Sequence, residues 1–273
     1  MDKIGRNIDE EKRGKLLVLA AFISIAIFVT KITQAQAQIV VWRVYLNAAI
    51  YFLIAFVGLI WAFGFQIKKK SILFILLPSF YVFSQALFIE FFFFQKFSRI
   101  YEAIILLLLI FLAFLGNYVS FLMANVLNVD LFKKIPLAQV GRTSSYLVSL
   151  LMMYFFTFSF LVSGFPLYIL LPLLLLSYIF VVSVHYSNIG LEGRELLRKS
   201  ILTILISFTL FLGIFLTGDA HEVVAAIPVL GYFFTVGVVS RERVVHSKAK
   251  GIYLYAIILV IMFLFAVFLN IRN

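Results

Sequence analysis

Residues 103–127 read AIILLLLIFLAFLGNYVSFLMANVL, twenty-five positions without one charged side chain. As an α-helix such a run extends about 37 Å at roughly 1.5 Å per residue, more than the roughly 30 Å of a bilayer's hydrocarbon. In hydrocarbon a backbone satisfies its own hydrogen bonds only as a helix or a closed barrel. A barrel strand would alternate apolar and polar residues over about ten positions. This run is continuous, so it predicts a membrane-spanning helix.

Working outward, the same pattern recurs along nearly the whole chain of 273 residues, of which 64% are hydrophobic and 13% charged. Soluble domains carry about a quarter charged residues. Nine apolar segments are predicted, at about 16–32, 44–66, 71–95, 101–127, 145–164, 166–187, 200–217, 222–240 and 251–270. All connections are short, so the expected fold is all-α: a polytopic transmembrane helical bundle forming a single integral membrane domain over 1–273. The longest connection, about 128–144, mixes apolar and basic residues and is expected to lie along the interface.

The formal charge of +11 is distributed with a pattern. Lys and Arg crowd every second connection: Lys3 to Lys15, Lys68 to Lys70, Lys133 to Arg142, Arg194 to Lys199, and Arg241 to Lys250. The intervening gaps are poor in them, and two have none. Short basic loops stay in the cytoplasm. The expected topology therefore has a cytoplasmic N-terminus and an outer C-terminus. The positive charge is an orientation signal, reinforced by anionic lipid at the cytoplasmic face, and no nucleic-acid partner is expected. A prokaryotic plasma membrane is the expected location.

The N-terminal segment admits a second reading. A basic leader, an apolar run over 16–30 and Ala35 and Ala37 in an A-x-A arrangement resemble a secretory signal. Lys31 in the would-be cleavage region and the length of the apolar run favour an uncleaved anchor helix.

Candidate chemistry concentrates in the turn LTGDAHEVV, residues 216–224. Gly218 stands where a helix C-terminus favours glycine, and Asp219 with Glu222 three residues on has capping-box spacing. His221 is left over. On the expected topology Asp219, His221 and Glu222 share the outer side with Glu90 and Glu102. These five are the candidate site residues, because carboxylates with a histidine can bind zinc or act as acid and base. The segment from His185 to Arg198 is expected as a solvated cytoplasmic loop, which puts His185 and His221 on opposite faces.

Absences narrow the function. The chain has no cysteine, which excludes disulfides and thiolate chemistry. It has no phosphate-binding loop, no H-E-x-x-H and no G-x-S-x-G. No cofactor or metal is expected. No span has an acid or base near its middle, which argues against ion-coupled transport. Small residues at four-residue spacing, Gly116, Ser120 and Ala124 in one helix and Gly231 and Thr235 in another, predict close helix packing. The leading expectation is a non-catalytic assembly or accessory protein with a membrane-protein partner, or a carrier of an apolar or lipid-like molecule. Behind it stand an enzyme acting at the outer surface on a lipid-linked substrate, and an uncoupled solute transporter.

Overall fold

The computed structural model describes residues 3–34, 40–65, 67–68, 71–92, 100–130, 138–215 and 221–244, together with Val260 and Leu264. All regular structure among them is helical: α1 Lys3–Gln34, α2 Val41–Ala62, α3 Ser71–Phe92, α4 Ile100–Asp130, α5 Ala138–Val162, α6 Leu167–Asn188, α7 Gly193–Phe215 and α8 His221–Val244. Seven of these, α1 to α7, are long and apolar enough to cross a membrane, and α8 has a shorter apolar stretch over Glu222–Val238. The predicted ninth segment, 251–270, lies outside the described residues apart from Val260 and Leu264, both helical and exposed. The chain is thus an all-helical protein with several apolar helices compatible with an integral, multi-pass membrane protein.

Two differences from the sequence reading have simple causes. The connection expected at 128–144 is mostly helix, because α4 runs on to Asp130 and α5 starts at Ala138. Asn, Gln and Ser there are tolerated in a helix and only lower its hydropathy. The end of α6 at Asn188 matches the predicted span 166–187, but His185, Tyr186 and Asn188, expected as part of a solvated segment, are buried. Their polarity had marked them as solvated. The charged part that follows, Glu192 to Arg198, is largely exposed as expected.

The chain forms two compact units, Met1–Val148 and Ser149–Asn273, with the boundary inside α5. In the first unit α1 packs on α2 and α4, and α3 packs on α2 and α4, which closes a ring of four helices. Side-chain contacts show that neighbours run antiparallel. Leu19 lies against Gly58, and the Tyr51 hydroxyl donates to the Ala26 carbonyl at 3.0 Å. Asn117 Nδ2 donates to Ser24 Oγ at 2.9 Å, and Ser71 Oγ donates to Asn128 Oδ1 at 2.6 Å. Hence the start of α1, the end of α2, the start of α3 and the end of α4 share one end of the unit. Lys12, Arg13, Lys15 and Lys68 fall at that end, and so does Arg142 in α5, whose Gly141 abuts Val126.

The outer surface of this unit is what a bilayer selects. Leu46, Leu53 and Val57 of α2 are exposed, a liability in water but ordinary facing lipid tails. Trp42 and Trp61 are exposed near the two ends of the same helix. They are separated by about 28 Å of rise, the spacing of two interfacial aromatic belts. Arg43 lies 5.6 Å from the Trp42 ring centroid, and Lys15 lies 5.2 Å from that of Trp61.

Close helix approach depends on glycine where the sequence placed it. A Cβ at Gly116 would meet the Tyr81 hydroxyl, and Ser120 and Ala124 on the same face are fully buried. In the second unit α7 packs on both α6 and α8. A Cβ at Gly231 of α8 would stand 3.0 Å from the Ser207 Cα and 2.9 Å from Leu210 Cδ1. Backbone cannot yield there as a side chain can. Gly213, in contrast, has nothing within 4 Å of its Cβ position.

Replacing Gly231 by Val is expected to push α7 and α8 apart and cost about 1–3 kcal/mol. Gly213→Ala is expected to hold or raise stability, by up to about 1 kcal/mol for a helix-interior glycine. Thermal unfolding of the two variants in detergent checks the contrast. Equal midpoints would remove the packing claim.

Candidate functional site

The one described ion pair buried within spans joins α1 to α3. Lys31 Nζ lies 3.2 Å from Glu90 Oε2 and donates to the Glu90 backbone carbonyl at 2.8 Å. Both residues are nearly sealed, at 5% and 6% exposure. Their meeting follows from depth. Lys31 stands twenty residues from the start of the apolar stretch Glu11–Thr33, and Glu90 stands nineteen from Ser71. Both helices therefore carry a charge about 28–30 Å along their length, from the same end of the unit. The ammonium near the end of α3 also meets the negative end of that helix dipole. Next to the pair, the Thr30 and Tyr51 hydroxyls are hydrogen-bonded to each other.

This arrangement changes the standing of Glu90. Its carboxylate is held inside the four-helix ring by Lys31, which the sequence reading placed at the end of the first span without a partner. Glu102 lies in the first turn of α4, at the same end of the unit as Glu90, because α3 and α4 are antiparallel. Its side chain is outside the described residues, as is the whole of Asp219. His221 opens α8, within two residues of the cap expected at Asp219, but its side chain is likewise outside the described residues. Glu222 is exposed in the first turn of α8, where the positive end of the helix dipole suits it, and its charge is felt by Tyr154 of α5. Glu90 and Glu102 belong to the first unit, His221 and Glu222 to the second. Among the described residues no group of three or more His, Asp or Glu is arranged to hold a metal ion.

The second unit has a buried interior of neutral polar groups that the sequence reading dispersed among spans and loops. The Thr157 and Tyr178 hydroxyls are hydrogen-bonded at 2.8 Å, and those of Tyr186 and Thr203 at 2.7 Å. His185 is 1% exposed and sits between two rings, with centroids 5.7 Å from Tyr186 and 5.9 Å from Tyr232. Thr235 donates back to the Gly231 carbonyl at 2.9 Å. The two hydroxyl pairs that join different helices contribute about 0.6–2 kcal/mol each. They tie α5 to α6 and α6 to α7 without any reaction.

A groove at the basic end of the first unit is a different matter. It has a volume of about 460 Å³, within the roughly 300–1,000 Å³ of ordinary ligand sites. Tyr118, Leu122 and Val126, at i, i+4 and i+8 on α4, line it along about 12 Å of helix, flanked by Val119 and Met123. The first turns of α5 close its other side with Val140 and Gly141. Gly141 permits this close approach: a Cβ there would stand 3.1 Å from Val126 Cγ1, which would have to give way. The polar contributors are Asn125, Ser144 and, at the start of α1, the exposed Arg13. The groove therefore mixes apolar and neutral polar side chains, with the Arg13 charge at the basic end. Sequence reasoning missed it because one wall, at Arg13, lies about a hundred residues before the other two in the chain.

Comparison with protein-family models, with curated proteins and with solved structures finds no match for this chain. The class that fold and site define is thus a multi-pass helical membrane protein with an amphipathic groove.

Removing one member of the buried pair, by Lys31→Met or Glu90→Gln, is expected to cost about 3–5 kcal/mol, because a charge is left buried alone. The double variant is expected to recover most of that loss. Unfolding midpoints of the three proteins in detergent decide it, and additive losses would show that the two side chains do not depend on each other. Cutting after Ala37 would strip Glu90, Asn117 and Tyr51 of their α1 partners at once. The protein purified from its membrane is accordingly expected to show the intact mass, and a product starting at Gln38 would contradict the anchoring role of α1.

Proposed function

We propose that this protein is a non-catalytic membrane protein that binds or carries a lipid-like amphiphile at the cytoplasmic leaflet of a prokaryotic plasma membrane. The observation that supports it is the groove between α1, α4 and α5. Its apolar stripe of Tyr118, Leu122 and Val126 matches an acyl or isoprenoid chain, and its basic end matches a headgroup. The leaflet follows from the charge pattern. The groove opens at the end of the unit that gathers Lys12, Arg13, Lys15, Lys68 and Arg142, and basic ends stay cytoplasmic. The same rule puts the C-terminus outside after nine spans.

The reading of an outer-surface enzyme has less behind it. Glu90, one of its five candidates, is sealed and engaged by Lys31, so its carboxylate would have to give up that partner to meet a substrate. Glu222 is exposed and has an adequate role in the first turn of α8.

The test is the lipid content of the protein purified in mild detergent, read by native mass spectrometry. Wild type is expected to retain about one amphiphile per chain, and Leu122→Trp, which fills the groove, is expected to lose it while keeping its unfolding midpoint. Retention by the filled variant would remove the groove from consideration. Because the chain has no cysteine, single thiols report orientation cleanly. One at Ala220 is expected to react with an impermeant reagent from outside and one at Lys69 is not; the opposite result would move the groove to the outer leaflet.

A further inference from the structure

We propose that the groove selects an anionic phospholipid of the inner leaflet, and that Arg13 is the residue that recognises its phosphate. This rests on the reading of the groove as an amphiphile site and adds the chemistry of the headgroup.

The charge of the lining carries the argument. Among the described lining residues Arg13 is the one that carries a charge. The neighbouring Glu11 is ion-paired with Lys15 at 2.7 Å. Lys15 is in turn drawn to Trp61 of α2, which faces lipid. Two residues along a helix turn a side chain by about 200°, so Lys15 and Arg13 leave α1 on opposite sides. Lys12, next to Arg13 in the chain, and Lys68 and Arg142 at the same end of the unit raise the positive potential there.

Residue type sharpens this. A guanidinium is planar, always charged and presents paired N–H donors that match two phosphate oxygens. A lysine in its place would act only as a point charge. Asn125 and Ser144 in the same lining supply donors and acceptors for glycerol hydroxyls or ester carbonyls, and Leu122 and Val126 supply apolar surface for a chain. Arg13 itself is exposed, so it meets the headgroup at the interface without a buried charge.

The experiment titrates purified full-length protein in detergent with phosphatidylglycerol and, separately, phosphatidylcholine, counting bound lipid by native mass spectrometry. Wild type is expected to bind one phosphatidylglycerol about tenfold more tightly than phosphatidylcholine. Arg13→Gln is expected to bring the two to the same affinity, and Arg13→Lys to restore only part of the preference. Arg198→Gln, in the second unit, is expected to keep the preference in full. Leu122→Trp is expected to abolish binding of both lipids. An undiminished preference in Arg13→Gln would overturn the assignment of the phosphate to Arg13 while leaving the groove in place. Unchanged binding of both lipids in Leu122→Trp would overturn the groove itself. Loss of preference in Arg198→Gln as large as in Arg13→Gln would reduce the effect to overall charge and sink the proposal.

Discussion

The first unit depends on how a lysine and a glutamate survive inside apolar surroundings. Each charge alone would cost several kcal/mol to strip of water. Together, with the Glu90 carbonyl as a third partner, they fix the depth of α1 against α3, two helices that sit across the ring from each other. Sliding either helix by one turn, about 5.4 Å, would part the charges. The ring contacts then fall into a single register: Ser24 with Asn117, Leu19 with Gly58, Ser71 with Asn128. That register also brings Arg13 level with the last turns of α4, where the groove forms. A polar lock near one end thus sets the geometry of a site near the other.

The two units solve the same problem by different chemistry. The first uses a charged pair, and the second uses only neutral groups, with hydroxyl pairs at Thr157–Tyr178 and Tyr186–Thr203 and a histidine between tyrosine rings. Neutral pairs are weaker but cost little to bury, and they tolerate small shifts. Pro78 in α3, Pro172 in α6 and Pro228 in α8 each remove a backbone donor from their helices, so both units contain such a break.

How much of this was legible in the sequence differs from residue to residue. The helical segments were readable because hydrocarbon leaves a chain almost no other option, and runs such as 103–127 carry no competing signal. Close packing at Gly116 and Gly231 was readable from four-residue spacing, a local property. The partner of Glu90 was less so. Lys31 looked like no more than the charged end of the first span, because charge normally ends one. The similar depth of the two residues emerges only when α1 is measured from Glu11, where its apolar stretch starts in the structure. His185, Tyr186 and Asn188 were misplaced for the converse reason, since a polar run reads as a loop until the tyrosines and threonines that receive it are known. The groove was not legible at all: nothing in the sequence says that residues 13, 122 and 141 are neighbours.

The pairing of Lys31 with Glu90 has an electrical consequence. Moving one elementary charge through a membrane potential of 100 mV involves about 2.3 kcal/mol. A lysine alone inside a span would make α1 responsive to voltage, and a glutamate alone would do the same for α3. As a bonded couple they sum to zero, and the apolar interiors of α5, α6 and α7 have no formal charge to add. In a bilayer, the field would thus find no net charge to pull on in the Lys31–Glu90 couple.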